Sequence, residues 1–217
     1  MVKDWILAID GSRRDDPLVI LASTDGEVTW SAPSPLPSPV LVGEVKAALN
    51  LYRDRIGSVV AVRGPGSYIG VRGGLAGALG AAQSLACPVA LVGSLEVVAA
   101  QIDPTPMPLL ALADAGRGGS FGQEMTPEMG SGARGRWRPR GSAWLLGRES
   151  PWPDAWHELR LVVGELGEGR QLPEGTNSIS PSRSRQMALA WVVSAGLVPI
   201  SGYDQVTADY AEPVGAR

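Results

Sequence analysis

SVVAVRGPGSYIGVRGGLAGALGAAQSLA, residues 58–86, passes from a β-branched run through a glycine turn into a helix. The apolar run 58–62 has the length and β-branched content of a buried strand, which ends at Arg63. Gly64, Gly66 and Gly70 then supply positive-φ freedom or close backbone approach. Pro65 fixes one φ and keeps a helix from running through the turn. From about Arg72 the composition turns to Gly, Ala and Leu, and two lines recur at helical spacing: Leu75, Leu79, Ala82, Ala86 and Gly73, Gly77, Gly80, Ser84. A glycine in a helix interior costs about 1 kcal/mol relative to alanine, so the second line calls for a compensating contact. Closely approaching backbone from another helix would supply one. The segment contains Arg72 and Gln83 and falls short of the roughly twenty apolar residues of a membrane span.

Three readings of Gly64, Pro65, Gly66, Ser67 and Gly70 compete. Glycine amides at a helix start can cradle phosphate, but the Walker pattern requires a Gly-Lys-Ser/Thr ending and no lysine lies nearby. A dinucleotide fingerprint fails on glycine spacing and on the acidic residue expected about twenty positions later. The preferred reading is a tight strand-to-helix connection that permits close packing.

The chain has 217 residues, 44% of them hydrophobic, and a formal net charge of -3. That is enough to bury a substantial core, and it excludes a disordered chain or one held to nucleic acid by bulk charge. Cys87 is the single cysteine and His157 the single histidine, which excludes a disulfide framework, a zinc cluster and a redox pair. Cys87, just before Pro88, is expected to be a small buried residue. The N-terminal apolar run is too short for a signal segment and meets Asp10, so a cytoplasmic protein is expected.

Strands are expected over 5–9, 18–22 and 28–30, the last two joined by a type I′-like turn at Asp25 and Gly26. Residues 33–39 are proline-rich. Leu41, Val45, Ala48, Leu49 and Tyr52 then mark an amphipathic helix. After the glycine turn and its helix come a strand at 89–92 and a helix capped by Ser94 that runs to about Ile102. Prolines at 103–108 suggest a boundary, giving lobes at 1–103 and 104–217. In the second lobe a strand at 109–113 ends at Asp114, and Asp114-Ala115-Gly116 echoes Asp10-Gly11-Ser12, so the halves are expected to be related. Further strands are expected near 121–125, 144–146 and 159–163, then a helix over 181–195 with Ser180 as N-cap and Met187, Trp191 and Val192 facing inward. The last seven residues show no periodicity. A meander followed by alternating helices and strands indicates an α/β fold with mixed sheets.

Arg134, Arg136, Arg138 and Arg140 alternate around Trp137, which suits either an RNA-stacking surface or an exposed strand or loop with a solvated face; the solvated face is preferred. His157, among Trp152, Trp156 and Leu159, has no nucleophile motif beside it and is read as structural.

Taken together, Ile-Leu-Ala-Ile-Asp at 6–10, Arg-Gly-Pro-Gly-Ser-Tyr-Ile-Gly-Val-Arg at 63–72, Pro-Val-Ala-Leu-Val-Gly-Ser-Leu-Glu at 88–96, Ala-Asp-Ala at 113–115 and Ala-Glu-Pro-Val at 211–214 resemble the TsaB (YeaZ) family. Its members are non-catalytic partners in the bacterial synthesis of threonylcarbamoyl adenosine in tRNA. The resemblance implies a two-lobed actin-like and Hsp70-like ATPase fold (ASKHA, ribonuclease H-like). It implies a heterodimer with the catalytic paralogue TsaD through the first two helices, placing Leu41, Val45, Arg72, Gly73, Gly77, Gly80 and Ser84 at the interface. Asp10, Gly11, Ser12 and Asp114 would be vestiges of the superfamily's phosphate loops. The same resemblance implies no metal and no intrinsic cofactor, with ATP or ADP and magnesium entering only at the assembled complex. It implies a homodimer when TsaD is absent, tRNA contact only through the complex, and no membrane. Where the family has Asp-Ala-Arg-Arg followed by Glu-Val-Tyr, this chain has Asp114-Ala115-Gly116-Arg117-Gly118-Gly119-Ser120-Phe121, and a His-Ser pair before the first helix is missing. These departures bear on the ATPase partner TsaE and on nucleotide.

The leading expectation is therefore a scaffold subunit without chemistry of its own. The alternative is an active ATPase or phosphotransferase of the same fold using Asp10, Ser12 and Asp114 with magnesium. A peptidase is disfavoured, because a single histidine leaves neither a paired metal site nor a triad.

Overall fold

The computed structural model describes residues 3–32, 40–129, 135–156, 158–195 and 207–213. The proline-rich 33–39, Arg134, His157 and the tail 214–217 lie outside the described residues. By contacts the chain divides into two units, Met1–Ser94 with Gln186–Asp209, and Leu95–Arg185 with Tyr210–Arg217.

The first unit is built on β1 (Trp5–Asp10), β2 (Leu18–Ser23), β3 (Val28–Ser31), α1 (Leu41–Tyr52), β4 (Ile56–Val62), α2 (Tyr68–Leu85) and β5 (Val89–Val92). Its sheet has the order β3-β2-β1-β4-β5, antiparallel through the meander and parallel from β1 to β5. Strands covered on both faces read as continuous apolar runs, and both Trp-Ile-Leu-Ala-Ile in β1 and Val-Val-Ala-Val in β4 do. On one face Leu7, Ile9, Leu21, Val59 and Ala61 pack against Leu41, Val45 and Ala48 of α1 and Leu75, Ala78 and Ala82 of α2. The opposite face carries buried Ala8, Ile20, Val60 and Ala90. Here α4 (Arg185–Ser194) returns from far along the chain. Its Val193 and Ser194 line a cavity of about 200 Å³ with Ile6, Val60 and Ala90.

The second unit holds α3 (Ser94–Ala99), β6 (Leu109–Gly116), β7 (Gly119–Glu128), β8 (Arg136–Leu146), β9 (Leu161–Gly164), β10 (Asn177–Ser178) and β11 (Glu212–Pro213). Read from β8, its sheet runs β8-β7-β6-β9-β10, with β6–β7 and β7–β8 antiparallel and β6–β9 and β9–β10 parallel. That is the topology of the first sheet strand for strand, so the expected relation between halves holds. β11 adds a parallel edge beside β8. What differs is the covering. Between β8 and β9, where the first unit has α1, the described residues hold one 3-10 turn, Asp154–Trp156. Trp156 and Leu159 are buried against Leu110, Leu112 and Leu146 there, with Trp152 and Leu172 packed beside them. Large aromatic rings thus fill the volume that helices fill in the first unit. The other face is covered by Leu95, Ala99 and Ile102 of α3 and its C-terminal extension, which pack on Leu109, Ala111, Met125 and Trp137.

Several boundaries differ from the sequence reading. α2 begins at Tyr68 rather than near Arg72, because Ser67 caps it: its side chain accepts from the Gly70 amide at 3.3 Å. Ala86 is not on its inner face but is the left-handed C-terminal residue, at φ 50°. The meander turn is not type I′, since of Asp25 and Gly26 only Gly26 has positive φ. α3 ends at Ala99, and the Ser94 hydroxyl donates to the Pro65 carbonyl at 2.6 Å. α4 starts at Arg185 rather than Pro181, because the Ser182 and Arg183 amides are spent on the Gln101 carbonyl. Ala188, Leu189, Ala190 and Val193 face inward there, while Met187 is 54% exposed. The contacts group α3 with the second unit and α4 with the first, and Cys87 is half-buried.

Candidate functional site

The glycine turn is packed, not open. Gly64 sits at φ +104°. A Cβ on Gly66 would stand 2.4 Å from the Ser12 carbonyl oxygen, one on Gly70 2.1 Å from that of Gly11, and one on Gly11 2.0 Å from that of Gly70. Two stretches of backbone therefore meet at a distance only glycine allows. The Ser67 amide, at the start of α2, donates to the Ser12 carbonyl at 2.7 Å.

On the other side of that contact, Asp10 is 1% exposed and its Oδ1 accepts from the Ser12 amide at 2.8 Å. Asp114 repeats the device at the end of β6, accepting from the Gly116 amide at 3.0 Å, but on an exposed turn. The repeat extends further. Gly167, after β9, takes the place that Gly66 and Gly70 hold after β4: its Cβ would lie 2.3 Å from the Gly119 carbonyl oxygen, and its amide donates to the buried Ser120 hydroxyl at 2.8 Å. No helix follows Gly167 before β10, so the second unit's turn has no helix N-terminus beside it. Among the described residues no three of His, Cys, Asp and Glu converge as ligands for a metal.

The line of small residues on α2 points the other way. Positions for a Cβ on Gly73 and Gly80 have no heavy atom within 4 Å, whereas one on Gly77 would meet Val45 Cγ2 at 3.7 Å. Ser84 is exposed, with its hydroxyl donating to the Ala81 carbonyl. Arg72, also exposed, lies 4.0 Å from the centre of the Tyr68 ring. Leu41 and Val45, expected at an interface, are buried in the first unit's own core. The apolar side chains that α1 and α2 do expose are Val42, Leu51, Tyr68 and Ile69, the last 79% exposed. Sequence reasoning missed these four, Tyr68 and Ile69 because they precede the expected helix start near Arg72.

From Arg136 to Arg140 the arginine run lies on an exposed strand, one of the two forms expected for a solvated face. Trp137 is 4% exposed and its Nε1 donates to the Ile102 carbonyl, so its ring is not offered for stacking. Arg136 and Arg138 both pair with Glu128, and Arg140 pairs with Glu124 at 2.9 Å. The hydrogen bond from Arg136, then that from Arg138, hold the Glu128 carboxyl below the ordinary carboxylate range. NMR titration should show Glu128 deprotonating at lower pH than a free glutamate. In molar salt, where the screening length falls to about 3 Å, the midpoint should rise toward the ordinary value.

Residues 38–125 match the model of the family described as TsaD, tRNA N6-adenosine threonylcarbamoyltransferase. Among solved structures, YeaZ from Pseudomonas aeruginosa superposes with a TM-score of 0.65, at 22% identity, over 95% of this chain and 99% of that one. The fold is that of YeaZ. A second structure, an uncharacterized protein with similarity to peptidase YEAZ from Pseudomonas aeruginosa, gives the same score and identity over 96% of this chain and 100% of its own. No curated protein matches the sequence. The YeaZ-like architecture is thus an α/β, ASKHA-type pair of mixed sheets. No helix among the described residues is long and apolar enough to cross a membrane.

Proposed function

We propose that this chain is a non-catalytic subunit of the tRNA threonylcarbamoyladenosine machinery, which pairs with a TsaD-type transferase through α1 and α2. The YeaZ-like fold and the TsaD-family match over 38–125 support the pathway. The observation that carries the docking face is the pair Gly73 and Gly80. Each costs helix stability of about 1 kcal/mol relative to alanine, and among the described residues nothing lies where a side chain would go, so no packing among them offsets that cost. A partner helix lying across the line would offset it, and Val42, Leu51, Tyr68 and Ile69 would supply the apolar contact around it. Nucleotide with magnesium, tRNA and a TsaE-type ATPase would meet this subunit only in the assembled complex, and the face would serve a homodimer where TsaD is absent.

The sharpest test is at Gly80 rather than Gly77, because a side chain at Gly77 would already meet Val45, 3.7 Å from its Cβ. Gly80→Leu is expected to leave the melting temperature unchanged or slightly raised. It should weaken association with purified TsaD by about 1 to 3 kcal/mol, roughly five- to 150-fold. Unchanged association, measured by sedimentation, would remove the docking face from consideration.

The competing reading, an ATPase centred on Asp10 and Asp114, is tested separately. With ATP and magnesium the isolated chain is expected to show no turnover above background. Asp10→Asn retains an oxygen to accept from the Ser12 amide, so it tests the charge with little disturbance of the turn. A robust rate that this substitution abolishes would establish the enzyme and defeat the scaffold.

A further inference from the structure

Residues 207–209, placed by the fold back on the first unit, lie across the glycine turn. The Asp209 amide donates to the Arg63 carbonyl at 2.7 Å, and Arg63 Nε lies 3.0 Å from Asp209 Oδ2. The charged groups are close, but Nε makes no hydrogen bond, so their attraction is electrostatic and off the N–H line. Ala208 packs against the core beneath α1 and α2. A Cβ on Gly64 would stand 2.9 Å from the Asp209 carbonyl oxygen, so the strap backbone rests directly on the turn.

That turn sets the direction in which α2 leaves the sheet. It is held on a second side by Ser94, whose amide donates to the Gly64 carbonyl at 2.8 Å and whose hydroxyl donates to Pro65. A third hold is the Ser67–Ser12 bond. Ser94 and Ser12 are buried, whereas the Arg63 and Asp209 side chains are 39% and 44% exposed. The strap is thus the restraint that water reaches, and its ion pair is of the kind that contributes little to global stability.

We propose that Arg63 and Asp209 are positioning residues for docking: by seating the strap on the glycine turn they fix the start of α2, and with it Tyr68, Ile69 and Arg72, in the orientation a partner binds. This rests on the docking face proposed above. An interface is sensitive to the direction of a helix end, whereas the core beneath α2, anchored by Leu75, Ala78 and Ala82, is not.

The test is native-state amide exchange together with association of the full chain with purified TsaD. Asp209→Ala is expected to lower the melting temperature by no more than a few degrees. It should speed exchange of the Asp209, Ser67 and Val71 amides at least tenfold relative to those of β4, and weaken association about tenfold or more. Charge reversal, Arg63→Glu with Asp209→Arg, should restore most of both. If the Ser67 and Val71 amides are unaffected in Asp209→Ala, the strap does not hold the turn and the proposal falls. Faster exchange with unchanged association overturns the positioning role. Failure of the unaltered chain to bind TsaD at all would instead defeat the docking face, leaving the exchange experiment to decide whether the strap holds α2.

Discussion

Gly70→Ala is expected to remove a large share of the first unit's stability. The added methyl would stand 2.1 Å from the Gly11 carbonyl oxygen and 3.2 Å from its carbon, both main-chain atoms with no rotamer to change. Overpacking that flexible side chains absorb costs about 1–3 kcal/mol; here two backbones must separate, and the cost is at the top of that range or beyond it. A domain stable by only about 5–15 kcal/mol loses a large share of its margin. Gly11→Ala should behave alike, because the contact is reciprocal. The informative contrast is Gly73→Ala, one helical turn along, where nothing lies within 4 Å and the gain in helix propensity should stabilise the chain by up to about 1 kcal/mol. Chemical denaturation of the three variants checks this. Equal effects of Gly70→Ala and Gly73→Ala would mean that the turn is not packed against Gly11 and Ser12 as described.

The other large effect belongs to the second unit. Trp156 is 3% exposed, and a Cβ on Gly122 would meet its ring at 2.5 Å, so a glycine in β7 forms the slot that the indole fills. Around it Trp152 lies 6.0 Å away, tilted by 51°, and the Arg170 guanidinium stacks 4.3 Å from the Trp152 ring. Since this cluster occupies the place of helices, no neighbouring element can close over the void left by truncation. Trp156→Ala is therefore expected to cost about 3–5 kcal/mol, and Trp156→Phe markedly less. The denaturant midpoint measures both. A loss for Trp156→Ala no larger than that of one buried methyl group would show the ring to be dispensable.

Much of the first unit was legible because its elements are local in origin. Uninterrupted Val, Ile, Leu and Ala in β1 and β4 specify buried strands, Leu41, Val45 and Ala48 specify the face of α1, and glycines beside Pro65 specify a turn. The repeated Asp-x-Gly/Ser ending was legible too, since an aspartate that accepts from the amide two residues on is a local interaction at both Asp10 and Asp114. The second unit was read poorly because its covering has no period. Trp152, Trp156 and Leu159 lie on irregular chain, and the two-residue strands β10 and β11 exist only through pairing with β9 and β8.

By itself the sequence determined the strand-and-helix order of the first half, the glycine requirement at 64, 66 and 70, and the small-residue line on α2, all consequences of backbone sterics and side-chain period within a few residues. Only the tertiary structure decided what those glycines face. Gly66 and Gly70 proved to meet Ser12 and Gly11, more than fifty positions away, while Gly73 and Gly80 meet nothing among the described residues. Leu41 and Val45 went into the core and left Val42 and Leu51 outside, and Asp209 came to rest on Arg63. The physical reason is the same in each case: local periodicity fixes which residues share a face, but the partner of that face is set by non-local packing, which no window along the chain contains.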